Sequence, residues 1–216
     1  MTIVAHRFAP ILDTKGGALS DRMIGDWKEA ADDAMDRYAR GDDRACSELY
    51  DLLAPRLYSF LVRRTRDAAS AEDLLQQTFL QMHCARRHFA QGAQVMPWSF
   101  AIARRLLIDR FRKEGREVLS DDAEGGHHES VAVDDSPEKI VGCRRLTRRV
   151  AQELARIPAA HREAFELVRY DGLSMAEAAE VLGTTVAAVK LRAHRAYETL
   201  RETLGDDARE ELGVVW

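Results

Sequence analysis

Along this chain apolar positions recur every three to four residues, the period of helices with one buried face. From Ser20-Asp21 onward, Trp27, Ala30, Ala34, Met35 and Tyr38 fall roughly on one side, and Gly41-Asp42-Asp43 ends that helix. Between Ala45 and Arg66, Leu49, Leu52, Leu53, Leu57, Phe60 and Leu61 keep the helical spacing, with an interruption or bend expected at Pro55. Ser70-Ala-Glu-Asp73 reads as a capping signature. The helix it opens buries Leu75, Phe79 and Met82 and leaves Asp73, Gln76 and Gln77 on more exposed positions. A loop over Ala90–Met96 leads to Pro97, which suits a first helical turn because its missing amide costs nothing there. Phe100, Ala103, Leu107 and Phe111 then predict a core-facing stripe. Further on, Ser136-Pro137-Glu138 starts a helix carrying Ile140, Val141, Leu146, Val150 and Leu154, which stops at Pro158. Ala159 to Tyr170 forms another, with Phe165, Leu167 and Val168 as its apolar residues.

The stretch after the Asp171-Gly172 turn, LSMAEAAEVLGTTVAAVKLRAHRAYETL, is the most specific in the chain. Ser174 and Glu177 make an S-x-x-E capping box. Gly183 supplies a left-handed C-terminal cap, and Thr185 can cap a second helix. Val186, Val189, Ala193, Ala196 and Leu200 define the buried face of that helix; Lys190, Leu191, His194 and Arg195 lie opposite. A short helix, a glycine turn and a longer helix with a basic outer face is a helix-turn-helix pattern, whose second helix fits a DNA major groove. An ordinary helical hairpin with a solvated charged face has the same periodicity.

Composition sharpens the fold class. The 216 residues are 46% hydrophobic but only 7% aromatic, and few runs alternate with the period of a strand. The chain predicts an all-α fold: two small helical domains joined by an acidic flexible linker, the second containing the helix-turn-helix. The expected divisions are an extension over 1–20, a domain over 21–116, a linker over 117–136, a domain over 137–204 and a tail over 205–216. The linker is marked by composition: eight acids from Glu117 to Glu138 with no Lys or Arg between them. Those acids exceed the whole net charge of −4, so the overall balance hides locally basic surfaces.

No apolar run is long enough for a membrane span, and the N-terminus lacks the apolar core of a secretory signal. Cys46, Cys84 and Cys143 are odd in number and widely spaced, which fits reduced thiols in the cytoplasm. His83, Cys84 and His88 lack a fourth structural ligand, so no metal site is expected. No clustered nucleophile and base, phosphate loop or zinc motif appears, so no catalytic residue, cofactor or small-molecule substrate is expected. Opposite the Phe100 stripe run Trp98, Arg105, Asp109, Arg112 and Arg116, flanked by Arg104, Arg110 and Lys113. A flat ring beside clustered cations suits single-stranded nucleic acid, which needs stacking and phosphate neutralisation. Core packing of Trp98 and an in-helix ion pair through Asp109 are the competing explanations.

Two blocks carry a resemblance. Glu177-Ala-Ala-Glu-Val-Leu-Gly183 with Val189-Lys-Leu-Arg-Ala-His-Arg-Ala196 resembles the C-terminal DNA-binding domain of bacterial sigma factors of the extracytoplasmic-function type. AEDLLQQTFLQMH with PWSFAIARRLLIDRFRK resembles the N-terminal conserved domain of the same group. The resemblance implies that Thr185, Ala188, Lys190, Leu191, His194 and Arg195 face the promoter −35 element. It implies that Trp98, Arg104, Arg105, Asp109, Arg112 and Arg116 serve the unpaired −10 strand. It further implies that Asp73, Gln76, Gln77 and Phe79 dock on core RNA polymerase. The implied partners are the β′ clamp helices and β flap of that polymerase, promoter DNA and an anti-sigma factor, which in this family can be a membrane protein. Three positions depart from the family: Gln77 stands for a common acid, Leu191 for a small polar residue and Ala193 for a larger apolar one. A sigma-like decoy that sequesters an inhibitor without binding DNA is the alternative, although a decoy has no need of the arginine stripe or the basic helix. A simple helix-turn-helix repressor leaves the block from Glu72 to Arg116 unexplained.

Overall fold

A computed structural model describes the backbone of residues 19–118, 150 and 152–204, and the side chains of 27–115, 150 and 152–203. The expected linker beyond Val118, the helix start at Ser136-Pro137, Ile140, Val141, Leu146, Cys143, the Arg116 side chain, most of the N-terminal extension and the tail lie outside the described residues; Glu117 and Val118, expected to open the linker, are the last residues of a helix. Among the described residues every regular element is helical.

The N-terminal unit packs four helices around one core. Helix α1 spans Leu19–Ala39, α2 Ala45–Thr65, α3 Ala68–Ala85 and α4 Val95–Val118, with a 3₁₀ turn at Arg86–His88 before the loop into α4. Ala31, Ala34, Met35 and Tyr38 of α1 meet Leu49, Leu53, Leu57, Phe60 and Leu61 of α2. Leu74, Leu75 and Met82 of α3 and Met96, Phe100, Ala103 and Leu107 of α4 complete the cluster. Phe60 and Phe100 are both fully buried and meet edge to face, 5.1 Å between ring centroids, the geometry that ring quadrupoles favour.

Three local expectations change. Helix α2 is continuous through Pro55. The carbonyl deprived of a partner belongs to Asp51, an exposed residue whose backbone water can serve. Helix α3 begins earlier than its S-x-x-D pattern suggests: Asp67 is the N-cap and accepts a 2.8 Å bond from the Ser70 amide. Ser70 is then free to lie buried inside the helix, its hydroxyl accepting from Arg110 of α4 at 2.6 Å. Phe111 is 46% exposed, not core, because α4 outruns its neighbours and every side chain from 111 to 115 faces solvent.

In the C-terminal unit, helical residues 152–156 precede α5 (Ala159–Arg169), α6 (Met175–Leu182) and α7 (Val186–Leu204). Val150, Leu154, Ile157, Phe165, Ala196, Tyr197 and Leu200 form one small core. Leu167, Leu173, Ala178, Val181, Val189 and Ala193 instead belong to the cluster of the N-terminal unit, because α6 packs against α4. The two units therefore share apolar surface. Val186, expected on the buried face, is 48% exposed: it is the first residue of α7 and precedes the stripe that begins at Val189.

Candidate nucleic-acid interface

Local chemistry sets the position of α7. The Ser174 hydroxyl accepts from the Glu177 amide and the Glu177 carboxylate accepts from the Ser174 amide, closing the capping box of α6. Gly183 ends α6 at φ 61°, a left-handed conformation that costs glycine no Cβ clash. The Thr185 hydroxyl accepts from the Ala188 amide at 3.2 Å and caps α7. With Val189, Ala193, Ala196 and Leu200 buried, Lys190, Leu191, His194 and Arg195 are all exposed on the other side. Thr185 is exposed and Ala188 half-buried at the start of the same helix. Leu191 leaves half of its surface to solvent between the basic residues, as a partner for an apolar base edge requires.

A second surface surrounds the start of α4. Two carboxylates on α1 hold the preceding loop: Asp32 accepts from the Val95 amide at 2.7 Å and Asp36 from the Gly92 amide at 3.3 Å. Burial raises the pKa of Asp32, against the Val95 amide, which favours the charged form. Beside this loop lies an open cleft of about 600 Å³ lined by His88, Phe89, Gly92, Gln94, Pro97 and Trp98, with Glu180 of α6 at its edge. Trp98 is half-buried, its ring 5.0 Å from that of Phe89, so it both packs and borders the cleft.

The expected arginine stripe divides into groups with different duties. Arg105 and Lys113 are exposed, and Arg112 is exposed with Asp109 3.8 Å away, the in-helix pair expected from the sequence. Arg110 is committed to Glu114 at 2.7 Å and to Ser70. Arg104 makes a two-pronged contact with Glu163 of α5, at 2.8 and 3.1 Å. The structure thus brings Trp98, Arg104, Arg105, Asp109 and Arg112 onto one helix but aims Arg104 at the other unit.

The third expected surface is on α3. Asp73, Gln76 and Gln77 are exposed in a row, and Phe79 is half-buried against Tyr50, 4.7 Å between centroids. Leu80, which sequence reasoning missed, is 62% exposed in the same row. Its signal was legible, since it stands one heptad after Asp73 and so on a polar face. Glu163, Glu180, Asp32 and Asp36 were also missed, and no periodicity marks them. His83 is bound to the Tyr38 hydroxyl and to Arg86, and burial, aided by Cys46, pushes the Tyr38 pKa up to about 12.

Comparison with known proteins matches both units. The family model of Sigma-70 region 2 matches residues 49–117, and that of Sigma-70, region 4, residues 147–200. The chain is 35% identical over 173 residues to RNA polymerase sigma factor CarQ of Myxococcus xanthus, covering 80% of this chain and 96% of that protein. It is 29% identical to the ECF RNA polymerase sigma factor SigW of Bacillus subtilis, covering 77% and 92%. Among solved structures it is similar to the sigma factor RpoE of Bartonella quintana, in complex with the anti-sigma factor NepR. There the TM-score is 0.61 at 28% identity, over 73% of this chain and 95% of that one. CnrH in complex with the cytosolic domain of CnrY is similar with a TM-score of 0.58 at 26% identity, over 82% and 99%.

Proposed function

The chain belongs to the sigma-70 family, in its extracytoplasmic-function group, and we propose how its surfaces divide the work of starting transcription. Helix α3 docks on the β′ clamp helices of core RNA polymerase through Asp73, Gln76, Gln77, Phe79 and Leu80. Helix α7 reads the −35 element in the major groove, with Lys190 and Arg195 on base edges or phosphates and Leu191 as an apolar neighbour of the bases. Thr185, Ala188 and His194 line the same helix face. The loop before α4 captures an unpaired −10 base against Trp98, and Arg104, Arg105, Arg112 and Arg116 neutralise the strand. Asp109 orients Arg112. The work is done by contact and not by covalent chemistry, in the cytoplasm where chromosomal DNA lies.

Residues 21–116 and 137–204 act as the two DNA-reading domains. The acidic segment 117–136 lies near the RNA path of the polymerase as a stand-in for nucleic acid, and the C-terminal domain meets the β flap. An anti-sigma factor is the expected inhibitor, the kind of partner with which the similar RpoE was solved. One observation carries the reading: the two family matches fall in order on two helical units, and the second presents Lys190, Leu191, His194 and Arg195 together to solvent. A decoy would need none of those four. Transcription in vitro with purified core polymerase and a promoter library tests it. Discrete start sites that depend on the added protein are expected; a stable complex with core that initiates nowhere would favour the decoy.

A further inference from the structure

Helix α4 starts without a cap of its own. Its first residue, Val95, is fully buried, so the Val95 amide has neither water nor a carbonyl one turn back to serve it. Gln94, just before it, is exposed, lines the cleft and is not one of the short side chains that cap helices. The acceptor comes instead from α1: Asp32 accepts from that amide at 2.7 Å, across 63 residues of sequence. One turn further along α1, Asp36 accepts from the Gly92 amide with both oxygens, each at 3.3 Å. Gly92 stands at φ 73° in a turn closed by the Ala93 amide on the Ala90 carbonyl, at 3.0 Å. Two carboxylates on one rigid helix thus hold both the turn and the helix start.

Charge alone argues against acids at this place, since carboxylates repel an approaching polyanion. Neither aspartate lines the cleft, so neither touches what enters it. Both stand before residue 49, where the match to Sigma-70 region 2 begins. What they hold is the rim, where Gly92, Gln94, Pro97 and Trp98 line the opening. Without Asp36 the turn keeps one internal hydrogen bond and its positive φ. Without Asp32 a buried amide is left unpaired, and unwinding the first turn of α4 toward water is the smallest change that satisfies it. Either change displaces Trp98 or narrows the space before it.

We propose that Asp32 and Asp36 are positioning residues for strand capture. By holding the Val95 and Gly92 amides they keep the loop before α4 in the one shape that leaves the Trp98 cleft open to an unpaired base. The inference rests on the assignment of that cleft to the −10 strand. Preorganisation of this kind lowers the barrier to DNA opening without adding a contact to DNA.

The test uses core polymerase carrying the full chain, on a promoter found by the transcription experiment. Filter binding in the cold reads affinity for the duplex, and permanganate reactivity against time reads the rate of opening. Asp32→Ala is expected to slow opening on the order of tenfold and to leave duplex binding unchanged. Asp36→Ala should slow it less, because its bonds are longer. Asp32→Asn keeps an oxygen for the Val95 amide and should restore most of the rate, although it removes the charge. By charge alone all three variants would open DNA faster. Faster or unchanged opening in both alanine variants, an Asp32→Asn chain as slow as Asp32→Ala, or duplex binding that falls in step with opening overturns the proposal. Thermal melts and capture by core accompany each variant. If Asp32→Ala unfolds and is no longer captured, Asp36→Ala carries the test, because the Gly92 it holds is exposed and outside the core. Trp98→Ala separates this inference from the reading beneath it. If that variant blocks opening while the aspartate variants open normally, only the inference fails. If it opens DNA at the wild-type rate, the −10 assignment falls and the inference with it.

Discussion

Lys28 on α1 reaches both carboxylate oxygens of Glu177, at 3.0 and 2.9 Å, while that carboxylate also accepts the Ser174 amide. One side chain therefore caps the first helix of the helix-turn-helix and ties it to the N-terminal unit. Burial alone would raise the Glu177 pKa; the Ser174 amide and Lys28 outweigh it and hold the group below its ordinary 4.5.

That shift has a sign in stability. A lowered carboxylate pKa stabilises above pH 4.5 and loses its contribution as pH falls through the lowered value. Asp171 works oppositely: its pKa is raised from 3.8, so its contribution is present below that pH and disappears as pH rises through the raised value. Glu177→Gln should cost on the order of 1–2 kcal/mol near neutrality. It should also flatten the fall in stability below pH 4.5, as thermal melts over an acid series would reveal.

Arg195→Ala and Lys190→Ala should each weaken binding to the −35 element by polymerase carrying this protein. Removing a side chain that bonds a base edge takes away about 1–3 kcal/mol of discrimination. Removing one that bonds a phosphate instead weakens all sequences alike and lowers the salt slope by about 0.9. Filter binding to matched and mismatched duplexes over a salt series separates the two.

Asp73→Arg and Leu80→Asp should reduce capture of the protein by immobilised core polymerase while leaving its melting temperature unchanged. Both side chains are exposed, so neither change disturbs the core. Undiminished capture in both variants would remove α3 from the docking surface.

Phe60→Ala should cost about 3–5 kcal/mol, the range for emptying a fully packed aromatic site. Phe111→Ala should change stability by no more than about 0.5 kcal/mol, since that ring lies nearly half exposed beyond the end of the core. Denaturant titration distinguishes these two phenylalanines, which the periodic pattern alone treats alike.

What was legible in the sequence was what neighbours along the chain decide. Ser174 with Glu177, and Gly183 with Thr185, act over three or four residues, and both caps form as expected. The exposed face of α7 follows from the buried one by the same short period. Local rules failed where two local partners competed: Asp67 took the cap of α3 and Ser70 turned to Arg110. They also failed where an element outran its neighbours, as at Phe111. Pairings between units were illegible because nothing local joins Lys28 to Glu177 or Arg63 to Asp171, 149 and 108 residues apart. Periodicity along α4 accordingly predicts a stripe of available arginines, although Arg104 faces Glu163.

Held by polymerase, this protein is expected to open DNA at one element while reading another. Permanganate probing of unpaired thymines on a promoter selected by the holoenzyme measures this directly. Reactivity confined to the −10 region, abolished in Trp98→Ala and diminished in Arg195→Ala, is the predicted result. A holoenzyme that binds the same promoter and leaves every thymine protected would contradict it.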